Sequence, residues 1–204
     1  MAKRLSQSFF ARPARTVAQA LLGKKLVHHV NGRILSGIIV ETEAYCDADQ
    51  LDLACHAERA NGGNPTPRTA VMFGPAGFTY VYFNYGIHWL FNIVTGQAGQ
   101  PNGVLIRALE PAEGIEIMQE NRGKRPLIQL TNGPAKLTQA LQIDNSQNEA
   151  NLCQPNGVIW IADGATIPKA SIATGPRIGL GKTPEPWHSI PWRYWIKNNP
   201  YVSK

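Results

Sequence analysis

Short runs of apolar and β-branched residues, each bounded by turn residues, dominate the first half of the chain. Such runs predict β-strands, and they occupy residues 25–30, 34–45, 79–83, 87–94, 103–109 and 157–162. Asn31-Gly32 separates the first two runs and is a typical hairpin-turn pair. Asn84-Tyr85-Gly86 separates the third and fourth runs, so the sequence predicts a second hairpin there.

Helical periodicity, together with terminal signals, predicts helices at residues 16–22, 111–120 and 135–141. Thr16 is placed to cap the first helix and Gly23 to end it, and Pro111 suits the first turn of the second. Residues 46–70 form a long polar stretch with glycine and proline, typical of a functional loop. The mixed element order favours an α+β fold, and the absence of a linker favours a single domain over residues 1–204.

Composition indicates whether the chain is globular, and net charge indicates which kind of partner it favours. The 204 residues are 43% hydrophobic and 17% charged, which excludes a disordered chain. A net charge of +6 favours an acidic partner such as nucleic acid, although a basic protein without a polyanion partner stays open on charge alone.

Cysteine usage and the N-terminal segment bear on the compartment. The three cysteines, Cys46, Cys55 and Cys153, are sparse and odd in number, which favours a reducing environment. The first 25 residues contain no apolar run of signal or membrane length, so we expect a cytoplasmic protein without membrane contact, nucleoid-associated if bacterial. His56 follows Cys55, but the spacing does not suit a four-ligand zinc site, and we expect no metal or cofactor.

Two carboxylates, Glu41 and Glu43, lie two residues apart in an otherwise apolar strand run. Residues at this spacing point to one face of a strand, and Tyr45 continues the same face. Two interpretations remain open: a solvated polar face, or a buried site in which a carboxylate acts as a general base on water beside a bound ring.

Aromatic and polar residues near the second hairpin are the other candidates. Tyr80, Tyr82 and Tyr85 are predicted to crowd toward its tip. Tyr85 is either an incidental surface residue or a wedge that enters a stack of base pairs. Asn92 and Arg107 lie on apolar strands, either as satisfied core groups or as site lining. Lys136 follows a helix start and either binds phosphate or is an ordinary surface lysine.

These residues belong to a colinear set of motifs that resembles the alkyladenine (3-methyladenine) DNA glycosylase family of the human-enzyme type. The motifs are IVETEAY at 39–45, His56, TPR at 66–68, MF at 72–73, YVYxxYG at 80–86, VLIRALEP at 104–111, GPAKL at 133–137 and RIGL at 177–180. The resemblance covers nearly the whole chain and is far more specific than any single motif.

The resemblance implies a domain built around a curved antiparallel sheet, with a hairpin that enters the DNA minor groove. It implies a monomer that acts on double-stranded DNA containing damaged purines. Its activity is base-excision repair: hydrolysis of the N-glycosidic bond of 3-methyladenine, 7-methylguanine, hypoxanthine or ethenoadenine to leave an abasic site. No lysine falls within the pocket motifs, so a monofunctional hydrolase without a Schiff-base step is expected.

The resemblance also assigns roles to individual residues. Catalysis falls to Glu43 as general base and to Arg107, which helps to hold the water. Base binding falls to Tyr45, His56, Tyr82 and the Ile178 backbone, while Asn92 crowds the 2-amino group of guanine. DNA binding falls to the intercalating Tyr85 and to Thr66, Arg68 and Lys136. Two departures are a longer segment between Tyr45 and His56 and an apolar stretch at 74–77.

Two functions of other classes remain open on the residues. A non-catalytic nucleic-acid-binding module could use the aromatic hairpin as a stacking platform, but such a module has no need of Glu43. A hydrolase of free nucleosides would fit a base pocket, but it would explain neither the basic charge nor Tyr85.

Overall fold

The apolar runs pair into a sheet of eight strands in the computed structural model, which describes residues 3–46 and 51–203. The strands are β1 (Lys25–Val30), β2 (Arg33–Tyr45), β3 (Thr79–Asn84), β4 (His88–Val94), β5 (Gly103–Glu113), β6 (Ile159–Ala162), β7 (Ile172–Gly175) and β8 (Arg193–Ile196). The path β3-β4-β5-β2-β1-β6 is antiparallel at each described pairing, and β8 joins it through β2 and carries β7.

The long strand β2 organises this sheet. It pairs with β5 along most of its length, and its other edge pairs first with β1 and then, from Glu41 to Glu43, with β8. Register shifts against β5 occur between Ile39 and Glu41 and between Glu41 and Thr42. Such bulges bend a strand and re-aim its side chains, and here they coincide with the two candidate carboxylates.

Five short helices pack around the sheet in the described chain: α1 (Gln7–Phe10), α2 (Ala14–Leu21), α3 (His56–Asn61), α4 (Ile115–Asn121) and α5 (Pro134–Ala140). Helix α2 buries Val17, Ala18 and Leu21 against β2, and the Thr42 hydroxyl donates a hydrogen bond to the Ala18 carbonyl at 2.9 Å. Helix α5 packs on β4 and β5. No described helix has the length and apolar character needed to cross a membrane.

The expected α+β fold with a mainly antiparallel sheet is confirmed, and each of the six predicted strands is present. The helix predicted at residues 111–120 is wrong at its start: Pro111 pairs with Gly37 inside β5, where a register shift accommodates a residue without an N–H. The helix begins at Ile115, after Gly114. Thr16 is exposed inside α2 and is not its cap.

The predicted functional loop at residues 46–70 is also more ordered than expected. It contains α3, and it leads into a short 3-10 helix at Ala70–Phe73. Residues 47–50 of this stretch lie outside the described residues. The N-terminal residue of α3 is His56, so a regular element positions this candidate side chain.

Gly114 is required by two independent constraints, and its substitution by alanine is expected to destabilise the fold. Its φ of 76° is left-handed, and a Cβ there would lie 2.6 Å from the Ile34 carbonyl oxygen. Gly123 has a similar φ of 65° with open space around it. In urea denaturation, Gly123→Ala should lose about 1 kcal/mol, and Gly114→Ala should lose several-fold more. Equal losses would show that the backbone contact has no energetic consequence.

Candidate active site

Glu41 and Glu43 are both 0% exposed, so the solvated-face interpretation of this pair is wrong. Glu41 accepts four hydrogen bonds, three at Oε1 and one at Oε2, so each of its oxygens has a partner. Arg107 Nε at 3.1 Å, Arg193 Nη1 at 3.0 Å and Ser203 Oγ at 2.9 Å donate to its Oε1. The Ser203 N–H donates to its Oε2 at 2.8 Å. Glu41 is therefore a fully satisfied buried carboxylate.

Glu43 has a different environment from Glu41. Its Oε1 accepts a hydrogen bond from the Ile178 N–H at 2.7 Å, and its Oε2 accepts one from the Tyr45 hydroxyl at 2.8 Å. Arg107 Nη1 forms an ion pair with Oε1 at 3.2 Å. A carboxylate has about four acceptor positions, so Glu43 retains the capacity to accept a hydrogen bond from water.

Burial sets the proton affinity of this side chain. Removal from water raises the pKa of Glu43, and the charge of Arg107 and the two hydrogen bonds oppose that rise only in part. Burial also raises the pKa of Tyr45 well above its usual range, so the phenol keeps its proton and donates to Glu43. A buried carboxylate with a raised pKa and a free acceptor position can remove a proton from water.

A cavity of about 640 Å³ lies beside the carboxylates. Residues from β2, α3, β3, β4, β5 and the 178–182 segment line it, among them Tyr45, His56, Tyr80, Tyr82, Tyr85, Asn92, Arg107, Ile178 and Lys182. Glu43 itself is covered by Tyr45, Arg107 and Ile178, all three of which reach the cavity. The cavity has the size and aromatic lining of a pocket for a planar ring.

Tyr80 is part of the aromatic wall of the cavity and supports the other rings of that wall. This residue is 3% exposed and stacks on Tyr82 with ring centroids 5.1 Å apart, so its predicted place near the hairpin tip is wrong. The Tyr80 hydroxyl lies 3.1 Å from His56 Nδ1, and the His56 ring meets Tyr82 edge-on at 4.6 Å. Arg68 lies 5.0 Å from the Tyr82 ring centre. Tyr82 and His56 are thereby fixed in orientation.

Tyr85 stands at the mouth of the cavity with 82% of its surface exposed. The Ile87 N–H donates to the Asn84 carbonyl at 3.2 Å, which closes a turn in which Tyr85 and Gly86 both have left-handed φ, 51° and 69°. This is the conformation of a type I′ hairpin turn, which favours asparagine or glycine at its first central position. A tyrosine there has a strained backbone and an exposed ring, so the residue does not serve core packing.

A buried ion pair ties the cavity loops together. Arg177 binds Asp52 through two parallel contacts, at 2.6 and 2.8 Å, and donates to the Ala44 carbonyl at 3.0 Å. Asp52 also accepts from the N–H groups of Cys46 and Ala54, each at 3.0 Å. The pair therefore fixes the chain that leads into α3. It also fixes the backbone at Arg177, next to Ile178, whose N–H contacts Glu43.

The family model described as methylpurine-DNA glycosylase (MPG) matches residues 8–200. Relatives named "Putative 3-methyladenine DNA glycosylase" include that of Prosthecochloris aestuarii, 46% identical over 202 residues, which cover 98% of this chain and 91% of the relative. That of Carboxydothermus hydrogenoformans is 45% identical over 200 residues, which cover 98% of each. The chain belongs to the methylpurine-DNA glycosylase family. Membership makes it a DNA glycosylase, a hydrolase whose substrate is DNA.

Most of the residues predicted for the site of this glycosylase meet at one cavity. Tyr45, His56, Tyr82, Tyr85, Asn92, Arg107 and Ile178 line it, and Glu43 lies directly behind three of them. Asn92 is 8% exposed and donates through Nδ2 to the Tyr80 carbonyl at 3.0 Å, which holds its side chain in the wall.

Three of the four predicted DNA-binding residues, Thr66, Arg68 and Lys136, lie outside the cavity lining. Thr66 and Thr69 hydrogen-bond to each other through their hydroxyls at 2.9 Å, and Lys136 Nζ donates to Asn132 Oδ1 at 2.9 Å. Arg68 is exposed beside Tyr82. Their contacts with DNA stay predictions.

Sequence reasoning missed residues that complete the glycosylase site. Arg193 and Ser203 hold Glu41, and Asp52 holds Arg177. Each is an isolated polar residue in the sequence, without a pattern that separates it from surface positions. Lys182 was also missed: it is exposed and lines the cavity, which no pocket motif indicated.

Proposed function

We propose that the protein removes alkylated or deaminated purines from duplex DNA, the class that includes 3-methyladenine, 7-methylguanine, hypoxanthine and ethenoadenine. It hydrolyses the N-glycosidic bond with water activated by Glu43 and leaves an abasic site. The observation that carries this proposal is the asymmetry between the two buried carboxylates. Glu43 keeps an acceptor position and is held by three residues that all line the aromatic cavity, whereas two of the three residues that hold Glu41, Arg193 and Ser203, do not line it.

A purine inside a duplex cannot reach a buried carboxylate, so the nucleotide must first rotate out of the stack. Tyr85 supports this step because its ring projects into solvent at the cavity mouth. It fills the gap that the departing nucleotide leaves and so slows the return of the base. The unpairing cost, on the order of a few kcal/mol, is smallest for damaged or mismatched bases, which gives a first level of selection.

The flipped base is bound in the aromatic cavity. Tyr45 and Tyr82 present rings to a planar ligand, and His56 is oriented by Tyr80 for contact with the base edge. An alkylated purine that carries a positive charge gains a cation–π contribution from these rings, about 0.5–2 kcal/mol. Asn92 occupies a fixed place in the wall, where it excludes the 2-amino group of guanine.

Bond cleavage then requires one proton transfer at the carboxylate. Glu43 takes a proton from water while the water oxygen bonds to C1′, and the C1′–N bond breaks with its electron pair leaving on the base. Arg107 lies at the cavity and next to Glu43, in position to hold the water. The negative charge of Glu43 also stabilises the oxocarbenium-like sugar of the transition state. Lys182 is not needed for this hydrolytic route.

Glu43→Gln is expected to lower single-turnover excision of hypoxanthine from duplex DNA by about 10²–10⁴-fold, because it removes the base but keeps the shape. Binding of the lesion duplex, measured by fluorescence anisotropy, should stay within a few fold of wild type. Glu116→Gln is the matched control, since Glu116 is exposed on α4, and it should keep the wild-type rate. Excision by Glu43→Gln at the wild-type rate would reject the assignment of the base.

Tyr85→Ser is expected to slow excision more from a paired target than from a mismatched one. The rate from paired duplex should fall about tenfold for each 1.4 kcal/mol of flipping stabilisation lost. A mismatch opens the stack in advance, so the defect should shrink there. The melting temperature should barely change, because Tyr85 is exposed. Equal losses on both targets would exclude the wedge.

Asn92→Ser is expected to relax discrimination against normal guanine. The shorter side chain removes a steric barrier that opposes the commonest wrong purine. The measurement is release of guanine from undamaged duplex, with hypoxanthine release as the internal reference. The ratio of guanine to hypoxanthine release should rise in the variant. A ratio unchanged from wild type would remove Asn92 from the specificity mechanism.

A further inference from the structure

We propose that Glu41 is a positioning residue for the reaction: it holds Arg107 so that Glu43 remains free to accept a proton from water. This inference rests on the proposed function of Glu43 as the base. It gives a role to a buried carboxylate that does not itself line the cavity.

The orientation of Arg107 is the first observation. A guanidinium can bind one carboxylate through two parallel N–H groups, which is its strongest arrangement. In this site the guanidinium of Arg107 is shared between two carboxylates. Its Nε donates to Glu41 at 3.1 Å, and its Nη1 forms the ion pair with Glu43 at 3.2 Å. Nη2 donates to Ser203 Oγ at 3.4 Å. Glu41 thus prevents a two-pronged pair between Arg107 and Glu43.

Glu41 can hold Arg107 because it is itself held from two other directions. Arg193 on β8 donates to it from one side and anchors its own Nε on the Pro176 carbonyl at 2.9 Å. Ser203 binds both carboxylate oxygens through its N–H and hydroxyl. These contacts fix Glu41 in the sheet, and two arginines balance the two carboxylates in charge.

The charges around Glu43 show how the sharing of Arg107 between two carboxylates affects the pKa of Glu43. Burial raises the pKa of Glu43, the charge of Arg107 opposes the rise, and the negative charge of Glu41 adds to it. Among the described residues, the other titratable groups that face Glu43 are Tyr45 on its own strand, Tyr82 across the cavity, Arg177 over the Tyr45 ring and Arg193 on β8.

Without the Glu41 charge, Arg107 can turn both N–H groups onto Glu43. That pairing would stabilise the ionised carboxylate, lower its pKa and fill the acceptor position that water needs. The site would then hold a weaker base at every pH. Glu41 therefore acts on the reaction through Arg107, without contact with the substrate.

The test is the pH dependence of single-turnover excision of 7-methylguanine. This base carries a positive charge in DNA and leaves as a neutral molecule, so it needs no acid and the acidic limb reports Glu43. Activity requires the ionised carboxylate, so the rate is lost as pH falls through the pKa of Glu43. The variants are Glu41→Gln, Arg193→Gln and the double variant, each checked for folding by circular dichroism.

Glu41→Gln and the double variant should both move the acidic limb to lower pH, by about one pH unit, and lower the plateau rate. Arg193→Gln is the matched control: it removes a charge from the same cluster but leaves Glu41 on Arg107, so its limb should stay or move to higher pH. The double variant removes two opposite charges together, which is less destabilising than removing one. If Glu41→Gln alone does not fold, the pH profile of the double variant tests the role of Glu41.

An acidic limb that stays at the wild-type pH in the folded Glu41 variants would overturn this proposal. A downward shift of equal size in Arg193→Gln would overturn it as well, because the effect would then come from general loss of the cluster. Failure of the proposed function has a different signature, namely no base release by wild type, or full activity in Glu43→Gln.

Discussion

The burial of two carboxylates side by side on one strand is the constraint on which the rest of the site depends. Taking Glu41 and Glu43 out of water costs several kcal/mol for each ion, and the two charges also repel each other. Arg107 and Arg193 offset this cost only if the surrounding chain holds them in place. Ser203 Oγ holds Arg107, and the Pro176 carbonyl holds Arg193. The N–H groups of Ile178 and Ser203 add hydrogen bonds to the carboxylates themselves. The same ion cluster therefore joins distant parts of the chain and shapes the chemistry.

A buried ion cluster is weak evidence for stability, since apolar residues of similar volume often serve the fold as well. Its presence here is better explained by function. The four buried or half-buried charges create two carboxylates with unlike surroundings: Glu41 is held by two arginines and Ser203, and Glu43 by residues that line the cavity. Different surroundings give chemically identical groups different roles. In this site they leave Glu43 as the carboxylate that is placed to accept a proton from water.

The sequence predicted those parts of the molecule whose signals are local. The strand pattern and the Asn31-Gly32 turn identified β1 and β2, and the motif set brought Glu43, Tyr45 and Tyr85 to one site. Strands β7 and β8 are four residues each and have no alternation of their own, because β8 forms by pairing with β2. Pro111 was assigned to a helix because the helix-start rule is local, whereas the register that keeps it in β5 is set by Gly37.

The site was ambiguous from sequence for the same physical reason. A spacing of two residues places Glu41 and Glu43 on one face, but it does not tell whether that face is covered. The cover comes from Ile178, 135 residues beyond Glu43, and from Ser203, 162 residues beyond Glu41. Likewise, Tyr80 and Tyr82 share a strand face, and only the packing of His56 and Arg68 shows that both line the cavity while Tyr80 also orients His56.

In the proposed reaction, a water molecule activated by Glu43 releases a damaged purine without a covalent enzyme–DNA intermediate. Lys182 at the cavity makes the alternative, a Schiff base with the sugar, directly testable. The decisive measurement incubates wild-type protein with hypoxanthine-containing duplex, with and without borohydride. If Glu43 activates water, we expect one free hypoxanthine for each abasic site formed and no borohydride-stable protein–DNA adduct. Tight binding of the duplex without base release, or a trapped adduct that is lost in Lys182→Ala, would contradict it.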